Sequence, residues 1–235
     1  MKNTILISLI TFVIFSCNEK IEAEKDYVIY EANPQTEAIK FYWKNDKEEI
    51  IKSINNLKKY VGSKNENLRF AMNGGMFERN NIPKGLYIEN YKILNKIDTS
   101  SGKGNFYLPP NGIFFLTKNN DADIVETQNF KYNTNIKYAT QSGPMLVING
   151  KINPIFQEQS QNLNIRNGIG ILENGKLVFA MSKKEVNFYH FASLFKNLGC
   201  KKALFLDGFV SRTYLPEKNW TQEDGDFGVM IGIIN

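Results

Sequence analysis

The chain has 235 residues, 42% of them apolar and 23% charged, an ordinary globular mix about one to one and a half domains long. This composition excludes a disordered chain, a collagen-like repeat and a multi-pass membrane protein, and 17 Phe with 11 Tyr can fill a large aromatic core. The formal charge of +5 comes from 25 lysines and only four arginines (Arg69, Arg79, Arg166, Arg212). A nucleic-acid surface would cluster arginine, so no nucleic-acid partner is expected. His190 is the sole histidine, and the two cysteines are Cys17 and Cys200, which excludes zinc sites built on several histidines and Cys-His metal clusters.

Met1-Lys2-Asn3 precedes an apolar run, Thr4–Phe15. It is too short to span a bilayer as a helix, which takes ~20 residues, and it reads as a secretory signal. It ends in Ser16-Cys17, which resembles a bacterial lipoprotein cleavage box. Residues 1–16 are therefore expected to be a signal peptide, Cys17 the lipidated first residue, and 17–26 a charged tether. The protein is expected to be exported and lipid-anchored to a bacterial membrane, on its periplasmic or cell-surface face. An ordinary signal with Cys17 incidental is the competing reading. Acylation of Cys17 would leave Cys200 unpaired.

Residues 27–235 show no repeat or linker and read as one domain. Tyr27–Tyr30 and Ala38–Trp43 are predicted strands around the turn at Asn33-Pro34. Ile50, Ile51, Ile54 and Leu57 predict a helix over Lys47–Tyr60, capped by Asn45 or Asp46 and stopped by Gly62. Asn149-Gly150 and Asn174-Gly175 predict hairpins, joining Met145–Ile148 to Lys151-Ile152 and Ile169–Leu172 to Leu177–Met181. A second helix is predicted over Phe188–Leu198, with Asn187 as cap and Gly199 as terminator. Strands follow at Ala203–Leu206 and Val229–Ile234. The fold class is α+β, a mixed, largely antiparallel sheet with hairpins and a few flanking helices in a single domain. A doubly wound nucleotide fold is excluded, because no glycine-rich strand-to-helix turn of the required spacing is present.

Four segments carry residue types that folding alone does not ask for. Asn73-Gly74-Gly75 ends a predicted strand where backbone amides can approach a ligand. Gln141-Ser142-Gly143-Pro144 leads into a buried strand and lacks the G-x-S-x-G frame of a serine nucleophile. Arg166-Asn167-Gly168 opens a strand with an arginine able to clamp a phosphate. Asp207-Gly208 closes an apolar strand with a carboxylate, and Ser211 follows it. A plain turn, a surface arginine or a capped strand end explains each segment singly. His190 projects away from the apolar face of its helix, which disfavours a Ser-His-Asp hydrolase.

In this order the four segments, read as Asn73–Phe77, Gln141–Val147, Arg166–Gly168 and Leu206–Gly208, resemble the phosphodiester glycosidase family. Pro83–Tyr87 and Pro110–Gly112 add to the likeness, which runs from Leu68 to Ile234. It is similar to the catalytic domain of the lysosomal uncovering enzyme, and closer to bacterial members labelled as exopolysaccharide-related. Where that family commonly has Asp-Gly-Gly-x-Ser, this chain has Asp207-Gly208-Phe209-Val210-Ser211, a change of pocket shape and specificity.

The resemblance implies a hydrolase that cleaves a sugar-1-phosphodiester at the anomeric carbon, acting on cell-surface or extracellular glycans. On that reading Asp207 is nucleophile or general base and Arg166 clamps the phosphate. Ser142 and the Gly74 and Gly75 amides make oxyanion or hydroxyl contacts, and Asn73, Gln141 and Ser211 orient the sugar. Gly143, Asn167 and Gly208 complete the substrate-binding set, and Glu78, Glu89 and Glu185 are the candidates for a second carboxylate. No cofactor is required; a divalent cation is left open, with no site specified. The alternatives are a non-catalytic, surface-anchored carbohydrate-binding lipoprotein and a Ser142-based hydrolase.

Overall fold

The computed structural model describes residues 23–208 and 210–235. The expected signal peptide, Cys17, the tether as far as residue 22, and Phe209 lie outside the described residues. The end of the tether that is described packs on the body: Lys183 Nζ donates to the Glu24 carbonyl, and Lys184 pairs with Asp26.

Among the described residues sixteen strands form three sheets, and every strand pairing is antiparallel. In spatial order, sheet one holds β1 (Tyr27–Ala32), β12 (Leu177–Ser182), β11 (Asn167–Leu172), β13 (Cys200–Asp207), β9 (Met145–Ile148) and β10 (Lys151–Ile152). Sheet two holds β15 (Trp220–Thr221), β14 (Thr213–Leu215), β3 (Leu68–Asn73), β16 (Met230–Ile234) and β2 (Ala38–Tyr42). Sheet three holds β5 (Lys92–Asn95), β4 (Tyr87–Glu89), β8 (Ile136–Ser142), β6 (Gly112–Thr117) and β7 (Ala122–Glu126). The expected α+β character is thus shifted toward strand: a single domain of antiparallel sheets carrying few helices.

One core joins all three sheets. Phe70 of sheet two lies 5.0 Å from Phe179 of sheet one, and Phe41 stacks on Phe114 and Tyr138 of sheet three at 5.9 and 5.1 Å. The helices cover outer faces. α1 (Ile54–Gly62) lays Ile54, Leu57 and Val61 on sheet two, and α2 (Phe188–Asn197) lays Phe191, Ala192 and Phe195 on sheet one. Each buried aliphatic or aromatic side chain stabilises the fold by roughly 1.5–3 kcal/mol.

Asn187 caps α2 by accepting from the His190 amide, and Gly199 takes φ 85° beyond it, as the sequence predicts. The Asn149-Gly150 turn has φ 51° and 75°, the left-handed pair that a two-residue hairpin needs. One expectation fails. α1 starts at Ile54 under a Ser53 cap, because residues 44–50 double back in a Lys44–Ile50 bridge. The two strands predicted around Asn33-Pro34 are both present, β1 joining β12 and β2 joining β16 in different sheets.

Candidate active site

Sheets one and two meet where β13, β11 and β3 end, and each strand end delivers a polar residue. Asn167 faces Asp207 across the β11–β13 ladder, yet the next pair is Gly168–Phe205, so Leu206 is an extra residue and β13 bulges. The freed Leu206 carbonyl accepts from Ser142 Oγ at 2.8 Å. Asn167 then ties the ends together. Its Oδ1 accepts from the Asp207 amide at 2.8 Å, and its Nδ2 donates to the Asn73 carbonyl and Oδ1 at 2.9 and 2.8 Å. Asn73 Oδ1 also accepts from the Arg212 amide, while its buried Nδ2 lies beside the Asp207 carboxyl.

Asp207 is only 9% exposed, and what shows of it opens into a cavity of about 300 Å³. Its Oδ1 accepts from the Gly208 amide at 2.7 Å. Burial raises its pKa from 3.8 to about 7; the Gly208 amide and the Asn73 side chain beside the carboxyl lower it by less. The group therefore exchanges its proton near neutrality.

The rest of the cavity wall comes from segments that sequence reasoning gave no role. Met76 and Phe77 follow the Gly74-Gly75 turn, Val210 follows Asp207, and Lys84, Lys103, Gly104, Asn105 and Phe106 close the remaining side. The Lys84 ammonium rests 5.2 and 4.7 Å from the centres of the Phe106 and Tyr107 rings. The signal available was a lysine inside Pro83-Lys84-Gly85, a segment quoted for the family likeness but assigned nothing.

Several predicted substrate contacts prove to be internal braces. Arg166 is fully buried and does not line the Asp207 cavity. Its Nε donates to the Val186 carbonyl and its Nη2 to the Asn162 carbonyl, both at 2.8 Å, and its guanidinium carbon lies 3.7 Å from the centre of the Phe188 ring. Nη1 has no partner, and burial lowers the pKa to about 10. The expected Asp207–Arg166 pairing across one cleft is corrected accordingly: a side chain sealed under Phe188 cannot clamp a phosphate in that cavity.

Ser142 is fully buried with its hydroxyl committed to Leu206, so it neither contacts substrate nor acts as a nucleophile. Ser211 Oγ lies 3.0 and 3.1 Å from the carbonyls of Asp207 and Gly208, so it shapes the turn and not a sugar. Gln141 braces the loops behind the wall. Its Oε1 accepts from the Leu86 and Asp98 amides, and its Nε2 donates to the Asp98 carbonyl and Asn111. The Gly74 amide is taken by the Val229 carbonyl, which removes it as an oxyanion donor.

Gly75 packs against Thr140, and a Cβ there would sit 2.6 Å from Thr140 Oγ1. Gly143 is buried against Phe106 and Asn111, and Gly208 against the Phe205 ring. Of the three proposed second carboxylates, none lines the cavity: Glu78 is exposed elsewhere, Glu89 and Glu185 open into other pockets. Asp207 is the one carboxylate among the described lining residues. His190 is exposed on α2, beside a larger cavity of about 760 Å³ that holds none of the four motifs. Size alone would favour that cavity, but it lacks the desolvated carboxyl.

The chain is 38% identical over 187 residues to the Escherichia coli (strain K12) protein YigE, described as uncharacterized, covering 79% of this chain and 73% of that protein. Its fold matches the catalytic domain of zebrafish N-acetylglucosamine-1-phosphodiester alpha-N-acetylglucosaminidase, solved in a form auto-inhibited by its pro-peptide. The TM-score is 0.57 and the identity 13%, over 88% of both chains. A hypothetical protein from Synechocystis matches with TM-score 0.55 and 12% identity over 88% of this chain, which spans 59% of that one. With the phosphodiester glycosidase model matching residues 66–233, most of the chain and all four motifs, the protein belongs to the phosphodiester glycosidase family.

Proposed function

We propose that this chain hydrolyses a sugar-1-phosphodiester at the anomeric carbon, with Asp207 as its acting carboxylate. The substrates would be cell-surface or extracellular glycans, reached by an exported enzyme held to the membrane through acylated Cys17. The observation that carries this reading is a single carboxyl with a pKa of about 7, opening into a small cavity whose other charged walls are Lys84 and Lys103.

An ordinary glycosidase needs a second carboxyl, as acid, to protonate the departing alcohol. A departing phosphate monoester has a second pKa of about 6 and leaves with the electron pair of the broken C1–O bond without a proton. One carboxylate then suffices. As general base it takes a proton from water as the water oxygen bonds to C1; as nucleophile it bonds to C1 itself and water later displaces it. Either role needs the ionised form. The lysine ammoniums offset the charge growing on the leaving phosphate, the role first given to Arg166, and the Asn73 side chain beside the carboxyl favours its ionised form.

The test is a panel of sugar-1-phosphodiesters assayed for freed reducing sugar. Asp207→Asn should lower turnover by orders of magnitude while the fold persists. Retention of glycan with no sugar release by the wild type would instead mark a binding lipoprotein.

A further inference from the structure

Asn167 stands behind the Asp207 cavity. Its side chain is fully buried, and neither it nor Asn73 lines the cavity. Both polar atoms of its amide are spent inside the protein. Oδ1 accepts from the Asp207 amide at 2.8 Å, and the two hydrogens of Nδ2 go to the Asn73 carbonyl and Asn73 Oδ1 at 2.9 and 2.8 Å. Asn73 Oδ1 takes a second donor, the Arg212 amide, at 3.0 Å.

The orientation of both side-chain amides is fixed from the two ends of this relay. A backbone N–H can only donate, so the Asn167 atom that meets the Asp207 amide is oxygen, and its nitrogen faces Asn73. The Asn73 atom that meets the Arg212 amide is oxygen for the same reason. Turning either side chain over would set N–H against N–H. With two donors on its Oδ1, Asn73 has only Nδ2 left for the Asp207 carboxyl beside it.

We propose that Asn167 is a positioning residue for Asp207: it holds the Asp207 backbone directly and, through Asn73, keeps a donor and not an acceptor against the carboxyl. This rests on the role proposed for Asp207 and adds how its ionised form is kept within reach. A donor favours the carboxylate, whereas an Asn73 free to turn would bring up Oδ1, which favours the protonated acid. Lys84 and Lys103, the charged groups that face the same cavity, come from other segments and take no part in the relay. Arg212 contributes its amide, while its guanidinium is held by Asp224 and the Ser211 carbonyl.

The test reads the Asp207 pKa directly, by carbon NMR of the full chain labelled at its aspartate carboxyls, with Asp207→Asn assigning the resonance. Asn167→Ala should raise that pKa by about one pH unit. The acid limb of kcat/KM on a sugar-1-phosphodiester should move with it, a loss of about tenfold at pH 6. Asn73→Leu should raise the pKa by itself, and adding Asn167→Ala should then move it little further, since the path through Asn73 is already cut. Asn167→Ser, which keeps an oxygen for the Asp207 amide, takes the place of Asn167→Ala if that variant does not fold. The proposal is overturned if an Asn167 variant lowers Tm yet leaves the pKa within about 0.2 of wild type, which would make the residue a brace alone. Equal rises with and without Asn73→Leu would also overturn it. Because the pKa is measured without substrate, a raised pKa in the variant beside no sugar release by wild type would sink the catalysis proposed for Asp207 and leave its positioning by Asn167 standing.

Discussion

Asp207 ends an apolar strand with a carboxyl that burial holds protonated up to about pH 7, and this sets opposite demands on activity and stability. Activity needs the ionised form, so kcat/KM should rise with pH through about 7 and level off above it. Stability runs the other way. The folded carboxyl keeps its proton up to about pH 7 and the unfolded one only to 3.8, so the stabilisation is complete below pH 4 and lost as pH rises to 7. At about 1.4 kcal/mol per pH unit the loss is on the order of a few kcal/mol. Asp207→Asn should therefore exceed wild type in Tm by several degrees at pH 8 and by much less at pH 4. An equal difference at both would contradict the burial argument.

Arg166 and Lys84 separate in the same way, one as a brace and one as a charge on the cavity wall. Arg166→Met strands the buried carbonyls of Val186 and Asn162, at about 1–3 kcal/mol each, and should lower Tm clearly. Lys84→Met should leave Tm within a degree or two and cut kcat/KM on a phosphodiester about tenfold or more, the scale of a lost charge-assisted contact. Melting curves and kinetics on the two variants decide the assignment. If Arg166→Met alone lost activity at unchanged Tm, the guanidinium would return to the site.

Among the elements, α2 and the Asn149-Gly150 turn were readable from sequence because their determinants are local: a cap, a face and a positive-φ pair. The start of α1 was not, since Ile50 and Ile51 fit its periodicity and the Lys44–Ile50 bridge that displaces them is a folded-state contact. Asn73, Asn167 and Asp207 were all named beforehand and do meet, but Ser142, Ser211 and Gln141 were given a ligand's role when their partners are backbone groups, Asn111 and Thr127. Sequence marks a polar residue near a strand end; it does not say whether that residue faces the cavity or braces the strand. The bulge at Leu206 is the determinant, and no residue spacing announces it.

The Gly75 turn makes the bracing testable. Thr140 Oγ1 donates to the Gly74 carbonyl at 3.0 Å, and a Cβ on residue 75 would collide with that oxygen. Gly75→Ala should cost roughly 1–3 kcal/mol as overpacking, while Thr140→Ala alone costs about 1 kcal/mol for its hydrogen bond. The double variant should recover most of the glycine penalty, read as a favourable coupling in urea denaturation. Strict additivity would mean that the collision is not what fixes glycine at this position.

At the scale of the whole molecule, the family match begins at residue 66, but the fold does not. β1 extends sheet one through β12, β2 extends sheet two through β16, and α1 covers the outer face of sheet two. Neither strand partnership was legible in the sequence, because each joins segments more than a hundred residues apart and strand periodicity does not name a partner. Together β1, β2 and α1 bury Val28, Tyr30, Ile39, Phe41, Ile54 and Leu57, each worth roughly 1.5–3 kcal/mol, against a net stability of about 5–15 kcal/mol for a typical domain. A chain beginning at residue 66 would also leave β12 and β16 as open hydrogen-bonding edges beside exposed core. Such a chain should aggregate or show no cooperative thermal transition, whereas one beginning at Ala23 should melt cooperatively and, on the function proposed above, release sugar. Cooperative melting of the shorter chain within a few degrees of the longer one would mean that the matched segment is a self-sufficient domain and that β1, β2 and α1 only decorate it.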